Sequence, residues 1–248
     1  MTPADPAPDA PDALPRPGSS ATPDADASSG TDASPATEAP RGPGVQPRRR
    51  RPRGDVRAGL VAAGLELART GGPDAVVLRE ATRAVGVVPN AAYRHFADRD
   101  ELLAAVCTAA MHELADRMSA EIAKVRGKQD NPAAAQRRLG AIGTAYLRFA
   151  HEEPGLFATA FAVPEQHTYA STEDADPTPL GLLRTALDNL VTAGVITPTR
   201  RKDLEFPIWS TVHGLATLTT HGPLRALSPT QLRHIESQTW DYIGNSLS

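Results

Sequence analysis

The chain has 248 residues, a formal net charge of −3 and a single cysteine, Cys107. This length allows one or two globular domains, and one cysteine excludes both an internal disulfide and the cysteine clusters of structural zinc sites. The sequence contains no apolar run of about 18 residues and no signal-peptide pattern. We therefore expect a cytoplasmic protein that does not cross a membrane.

Charge is distributed unevenly along the chain. Residues 1–47 carry a net charge of −5, residues 48–100 carry +5, and residues 101–248 carry −3. The first segment is rich in Pro, Ala and Asp and has no aromatic side chain, so it cannot bury enough apolar surface to fold. We predict a disordered acidic tail over 1–47. A basic segment between two acidic ones indicates a local surface for a polyanion.

A run of arginines follows the tail, where residues 48–54 read RRRRPRG. Basic extensions beside DNA-binding domains follow the phosphate backbone or enter the minor groove, and we predict a basic arm of this kind over 48–54. A solvated linker is the alternative. The candidate DNA contacts of the arm are Arg48, Arg49, Arg50, Arg51 and Arg53.

From Asp55 onward the apolar residues recur with helical spacing, which predicts a first helix that ends at the Gly-Gly-Pro of residues 71–73. A short second helix is predicted over 78–85, with Gly86 at its end. Pro89 suits the first position of a third helix, where its missing N–H costs nothing. Asp98, with Glu101 three positions later, resembles a capping box and predicts the start of a long fourth helix.

The remaining sequence keeps the helical period. Apolar helical segments are predicted over residues 133–153, 155–164, 180–196 and 203–222, and a polar, turn-rich loop over 167–179. Ser228-Pro229-Thr230-Gln231 is a capping box with proline at the first helical position, so it predicts a last helix. No segment alternates with a period of two residues. The sequence therefore predicts an all-α protein.

The stretch VGVVPNAAYRHFADRDEL, residues 85–102, joins two short helices by a turn that contains glycine. This is the arrangement of a helix-turn-helix, although a purely structural helical hairpin is the alternative. The second helix would fit the major groove, which is about 12 Å wide. Small side chains at Ala91 and Ala92 would let its N-terminal half approach the base edges.

The longer stretch VLREATRAVGVVPNAAYRHFADRDELLAAV, residues 77–106, resembles the DNA-binding region of the TetR family of transcriptional regulators. Members of that family typically have a Gly-Val turn, an aromatic-x-His-Phe ending to the recognition helix, and a charged cap before Glu-Leu. The resemblance extends over about residues 55–106. In addition, WSTVHG, residues 209–214, resembles the Trp/His/Gly signature of one class of C-terminal domain in this family.

The resemblance implies a three-helix helix-turn-helix domain at 55–100 that binds double-stranded DNA. It implies phosphate contacts at Arg79, Tyr93, His95 and Arg99, and groove contacts at Pro89, Asn90, Ala91 and Arg94. Val77 and Val88 depart from the family, which usually has polar N-caps there. Because valine cannot cap, either Asn90 or the backbone must compensate, or the first turn of the recognition helix frays until DNA binds.

The resemblance also implies a helical effector-binding domain at 101–248 that forms a homodimer through its last two helices. The candidate ligand contacts are Tyr146, Phe149, Phe157, Phe161, Trp209 and His213, although residues at helical spacing are often simply core. We expect no cofactor and no metal.

These observations predict a transcriptional repressor that binds a palindromic operator as a homodimer and is released by a small molecule. An architectural DNA-binding protein without a ligand is the alternative; its arginine arm would dominate affinity and cause a steep salt dependence. An enzyme is disfavoured because the chain lacks HExxH, GxSxG and a glycine-rich phosphate loop.

Overall fold

The computed structural model describes residues 53–163 and 178–247, where all regular structure is helical. The all-α prediction is therefore confirmed. The predicted tail over 1–47, the arm residues Arg48–Arg51 and most of the predicted loop over 167–179 lie outside the described residues. No described helix is both long and apolar enough to cross a membrane.

Four helices form the N-terminal part of the described chain. They are α1 (Arg53–Gly71), α2 (Leu78–Val85), α3 (Pro89–Ala92) and α4 (Arg99–Ala123), with a 3-10 turn at Pro73–Ala75. The bounds predicted for α2 are confirmed. Helix α1 begins two residues before the predicted position, so the backbone of Arg53 and Gly54 belongs to the helix and not to the predicted arm.

Six further helices complete the described chain. They are α5 (Pro132–Glu152), α6 (Pro154–Ala160), α7 (Pro179–Thr192), α8 (Pro198–Arg201), α9 (Glu205–Thr220) and α10 (Pro229–Ser246). All of them except α9 have proline at the start, where a missing N–H leaves no hydrogen bond unmade. The sequence did not predict α8, because a single turn of four residues shows no apolar period.

The predicted helix starts at Asp98 and Ser228 are confirmed. The Asp98 carboxylate accepts a hydrogen bond from the backbone N–H of Glu101 at 2.8 Å. The Glu101 carboxylate in turn accepts one from the N–H of Ala97 at 2.6 Å. At α10, Ser228 and Gln231 form the complete reciprocal capping box. Each pair satisfies backbone donors that the helix itself leaves without partners.

Helix α4 joins the two parts of this compact unit. It packs against α1 on one side and against α5, α6 and α7 on the other. Nine of its residues are buried, among them Leu102, Val106, Leu114 and Met118. The helix runs without interruption through the predicted domain boundary between residues 100 and 101. Both parts therefore share one core element.

A cluster of charged side chains joins α1, α4 and the junction of α5 with α6. The guanidinium of Arg69 lies 2.6 Å from the Glu153 carboxylate and 3.2 Å from that of Glu113. Arg117 lies 3.0 Å from both Glu152 and Glu153. Burial alone would lower the pKa of Arg69, but its hydrogen bonds to Glu153 and Glu113 outweigh burial and raise it. The cluster therefore holds a charged arginine at the junction.

Three aromatic side chains and His213 form a cluster that links α5, α6 and α9. The Tyr146 hydroxyl lies 2.8 Å from His213 Nδ1. The His213 ring lies 4.7 Å from that of Phe161, and the Tyr146 ring lies 5.6 Å from that of Phe157, both in edge-on geometry. Burial lowers the pKa of His213 below its ordinary value. The cluster thus favours a neutral imidazole.

The turn between α2 and α3 depends on Gly86, whose φ of 73° and ψ of 32° lie in the left-handed region. Its backbone N–H and that of Val87 both donate to the Thr82 carbonyl, at 2.9 and 3.1 Å. These bonds satisfy the carbonyl end of α2, and a residue with a side chain would adopt this conformation only at a cost.

We predict opposite effects of the same substitution at two glycines. Gly86→Ala lowers the free energy of unfolding by about 1–2 kcal/mol because alanine is strained in the left-handed region. Gly140→Ala, within α5 where an added Cβ meets nothing within 4 Å, raises it by about 0.8–1.0 kcal/mol through better helix propensity. Urea unfolding of both variants measures the contrast, and equal effects would contradict it.

We also predict that His213 causes the free energy of unfolding to decrease as the pH is lowered. As the pH falls below the ordinary histidine pKa of 6.5, the unfolded chain takes up a proton at His213 that the folded protein resists. The free energy of unfolding then decreases until the lower folded pKa is reached. His213→Asn should flatten this pH dependence in urea titrations. An unchanged slope in His213→Asn would contradict the prediction.

Candidate nucleic-acid interface and ligand cavity

The candidate DNA-binding surface is the outer side of α3 and the residues that continue it. Ala92 and Phe96 are fully buried and anchor this element to the core, whereas Tyr93 keeps 60% of its surface exposed. The side chains around these anchors therefore face solvent. Of the predicted DNA contacts here, Pro89, Asn90 and Arg94 are exposed, and Ala91 and His95 are half-buried.

Helix α3 is shorter than the resemblance implied, because it ends at Ala92 and does not include Tyr93 to His95. The chain continues as a tight turn, in which the N–H groups of His95 and Phe96 both donate to the Ala92 carbonyl, at 2.8 and 3.0 Å. Helical curvature thus persists past Tyr93, whose φ and ψ of −62° and −11° remain right-handed.

The two valines that replace polar caps make no capping bond. Asn90 does not compensate, since its side chain bonds to no other described residue. At α3 the backbone alone compensates: the Ala91 N–H donates to the Val88 carbonyl at 2.9 Å. The first turn of α3 is therefore held by the backbone alone, without a capping side chain.

Arginines surround this surface. Arg79 and Arg94 are exposed, and neither forms an ion pair with another described residue, whereas Arg83 pairs with Glu80 at 2.6 Å. Arg57 was missed in the sequence. Its guanidinium lies 4.8 Å from the centre of the Phe96 ring. The Arg57 cation therefore stacks on this ring beside α3. No motif marks Arg57, because only the packing of α1 against α3 brings the two residues together.

Arg99 has a different setting from the other predicted phosphate contacts. Its guanidinium donates to the Pro73 carbonyl at 2.8 Å and lies 3.5 Å from the Asp100 carboxylate. The side chain remains 40% exposed. Arg99 therefore ties the start of α4 to the turn after α1, and a phosphate would compete with these partners.

A cavity of about 450 Å³ lies between α4, α5, α7, α9 and α10. Its size is within the range of about 300–1,000 Å³ that is typical of small-molecule sites. Of the six predicted ligand contacts, only Tyr146 and Trp209 are among its described lining residues. Three others, Phe157, Phe161 and His213, contact the Tyr146 ring in the aromatic cluster and are not among the described lining residues.

Phe149, the sixth of these residues, is fully buried elsewhere in the core, with the Arg117 guanidinium 5.1 Å from its ring centre. Sequence reasoning missed most of the lining, including Gln136, Gly140, Gly143 and Trp240. The Gly140-x-x-Gly143 spacing, which places two residues without side chains on one face of α5, was the available signal. The Trp240 indole occupies the space that a Cβ on Gly143 would need.

Three large apolar or aromatic side chains on α9 and α10 are exposed. Phe206 and Leu218 on α9 keep 45% and 43% of their surface in solvent, and Tyr242 on α10 keeps 66%. Gly214 lies between the two α9 residues, and a Cβ there would meet nothing within 4 Å. Ile243 is the one buried residue of α10 as described. This surface would allow another helix to approach closely.

Within the two described ranges, no group of three or more His, Cys, Asp or Glu side chains is placed to hold a metal ion. His151, next to two glutamates in the sequence, instead lies with its Nε2 2.9 Å from the Thr219 hydroxyl. It thereby joins α5 to α9.

Comparisons with known proteins agree with this architecture. Residues 60–106 match the family model "Bacterial regulatory proteins, tetR family", and residues 139–239 match "Tetracyclin repressor-like, C-terminal domain". A comparison with curated protein sequences finds no match. The first match contains the helix-turn-helix, and the second contains most of the cavity lining.

Solved structures share the fold at low identity. A protein of unknown function from Rhodococcus sp. RHA1 is 22% identical, with a TM-score of 0.62, over 83% of this chain and 100% of that chain. A TetR family transcription regulator from Marinobacter aquaeolei VT8 is 17% identical, with a TM-score of 0.50, over 78% of this chain and 96% of that chain. Both halves of the described structure therefore have family counterparts, and the chain belongs to the TetR family of bacterial transcription regulators.

Proposed function

We propose that this regulator is a repressor that binds a palindromic operator as a homodimer and is released when a small molecule enters the cavity. The observation that carries the proposal is the uninterrupted helix α4. Its first turn lies beside the DNA-binding surface, and Met118, near its other end, lines the cavity. A helix of this length spans about 30 Å between those points. The family assignment supports a regulator and not an enzyme.

For DNA, the exposed side of α3 supports the contacts that the sequence suggested. In this proposal Asn90, Ala91 and Arg94 face the base edges, with Pro89 at the entry. The proposed phosphate contacts are Arg79, Tyr93 and His95, to which we add Arg57 beside Phe96. Arg99 makes a weaker contact, because its guanidinium already serves the Pro73 carbonyl.

For the dimer, three exposed apolar or aromatic side chains on α9 and α10 support a four-helix interface with a second copy of the chain. Burying Phe206, Leu218 and Tyr242 against the partner removes their exposed apolar surface from water. Gly214 allows the two copies of α9 to approach closely. Two-fold symmetry would then place the two recognition elements about 34 Å apart, which is one turn of the duplex.

For release, the charged cluster around Arg69 supports coupling between the cavity and α1. A ligand that displaces α4 moves Glu113, and therefore also Arg69, to which it is bound. The start of α6 lies close against the same end of α1, since a Cβ on Gly155 would overlap with the Ala68 carbonyl. Coupling of this type is worth about 1–3 kcal/mol.

The first test is selection of bound fragments from random DNA with the full-length protein. We expect a palindrome whose half-sites lie about one helical turn apart. Recovery of no consensus, with binding that disappears as salt rises, would instead indicate an architectural DNA-binding protein governed by the arginine arm.

We predict that Arg94→Ala lowers affinity for the selected operator by about 1–3 kcal/mol and relaxes base preference at one position of each half-site. Lys128→Ala removes the same charge from the loop at the far end of α4 and is the matched control. Fluorescence anisotropy at fixed salt measures both variants. If the two lose affinity equally, Arg94 contributes only its charge and the proposed groove contact is wrong.

We predict that Leu218→Glu makes the protein monomeric, because the glutamates would lose their hydration in the proposed interface. Operator binding should then weaken, because the two half-sites are no longer bound together. Thr108→Glu, which adds the same charge on an exposed position of α4, should leave mass and affinity unchanged. Light scattering and anisotropy measure the two properties, and a Leu218→Glu dimer would refute this interface.

A further inference from the structure

We propose that the cavity binds an uncharged, largely apolar small molecule with a ring system, an inference that rests on the proposed effector site. The 18 described residues that line the cavity include no Asp, Glu, Lys, Arg or His. Aliphatic and aromatic side chains dominate this lining. A charged ligand group would therefore find no opposite charge among the described lining residues.

The cavity has a buried floor and an exposed mouth. At the floor, Met118 and Tyr146 expose no more than 3% of their surface. At the mouth, Gln136, Gly140 and Gly244 are exposed. A ligand that fills the floor must lose its water there, and this loss is strongly unfavourable for an ion without a partner but favourable for apolar groups.

The few polar atoms of the lining are neutral and fixed. The Trp209 Nε1–H lies 3.4 Å from the Tyr146 oxygen, and that oxygen lies 2.8 Å from His213 Nδ1 behind the wall. Because half-buried His213 favours its neutral form, this network provides dipoles and not a charge. Neutral polar groups of this kind orient a ligand by hydrogen bonds and do not neutralise an ion.

The walls favour flat molecules. Trp209 and Trp240 line the cavity together with Tyr146, so rings from three helices border one space. The Trp240 indole lies so close to Gly143 that a Cβ there would overlap with it. Aromatic faces of this kind pack against other rings in offset or edge-on geometry. The structure therefore assigns an aromatic or polycyclic ligand to the site.

A matched pair of probes tests the assignment. N-phenyl-1-naphthylamine and 8-anilino-1-naphthalenesulfonate have the same ring skeleton and differ by one sulfonate, and both fluoresce more strongly in apolar surroundings. With the full-length protein, we expect the uncharged amine to bind at one site per chain, at least tenfold more tightly than the sulfonate. Equal or tighter binding of the sulfonate, or binding of neither probe, would overturn the proposal.

Two phenylalanine variants locate the site. Gly140→Phe places a ring at the cavity mouth, where the structure has open space for the added Cβ, and should weaken binding of the amine at least tenfold. Thr144→Phe adds the same ring one turn later on α5, at an exposed position outside the described lining, and should leave binding unchanged. Thermal unfolding verifies that both variants fold. Unchanged binding by Gly140→Phe would place the amine elsewhere, for example on the exposed faces of α9 and α10, and would overturn the proposal.

Operator binding, measured in the same samples, separates this inference from the proposed function. If the amine binds and Gly140→Phe blocks it, the ligand class stands even where operator affinity does not change; only the release mechanism then fails. If the sulfonate binds as tightly as the amine and releases the operator, the release mechanism stands and the ligand class is wrong.

Discussion

Burial of one face of α4 is the interaction on which both halves of this protein depend. Leu102 and Val106 complete the core beneath the helix-turn-helix, while Leu114 and Met118 belong to the core around the cavity. Because a helix transmits a displacement of one end to the other with little loss, a core shared in this way makes the two halves mechanically dependent. The proposed release mechanism depends on such a connection, since DNA and the proposed effector would have to influence one another without direct contact.

The protein pairs polar groups between its helices in two chemically different ways. Around Arg69 the groups are charged and only partly shielded from solvent, and each carboxylate has a guanidinium partner. Around His213 the groups are neutral and meet through a hydrogen bond and ring contacts. The charged cluster lies at the junction with α1, and the neutral one lies beside the cavity. No ionic group belongs to the described lining of the cavity.

The DNA-binding surface shows how far the sequence predicts a site. The bounds of α2, the turn at Gly86 and the cap at Asp98 follow from local chemistry, since each depends on residues only a few positions apart. The end of α3 did not follow: after Ala92 the chain continues as a tight turn, in which the N–H groups of His95 and Phe96 share the Ala92 carbonyl. Arg57 could not be predicted at all, because it lies 39 positions before the Phe96 ring on which it stacks.

By itself, the sequence determined the helical class, the family and most helix starts to within two residues, because periodicity, caps and motifs are local properties of the chain. Only the tertiary structure decided which apolar residues face a cavity and which fill the core. Tyr146 and Phe149 lie three positions apart on α5, yet one lines the cavity and the other packs beside Arg117. Both belong to the same apolar stripe, and helical spacing cannot distinguish them. Their different surroundings depend on where α9 and α10 pack against α5, and this position is set by long-range packing.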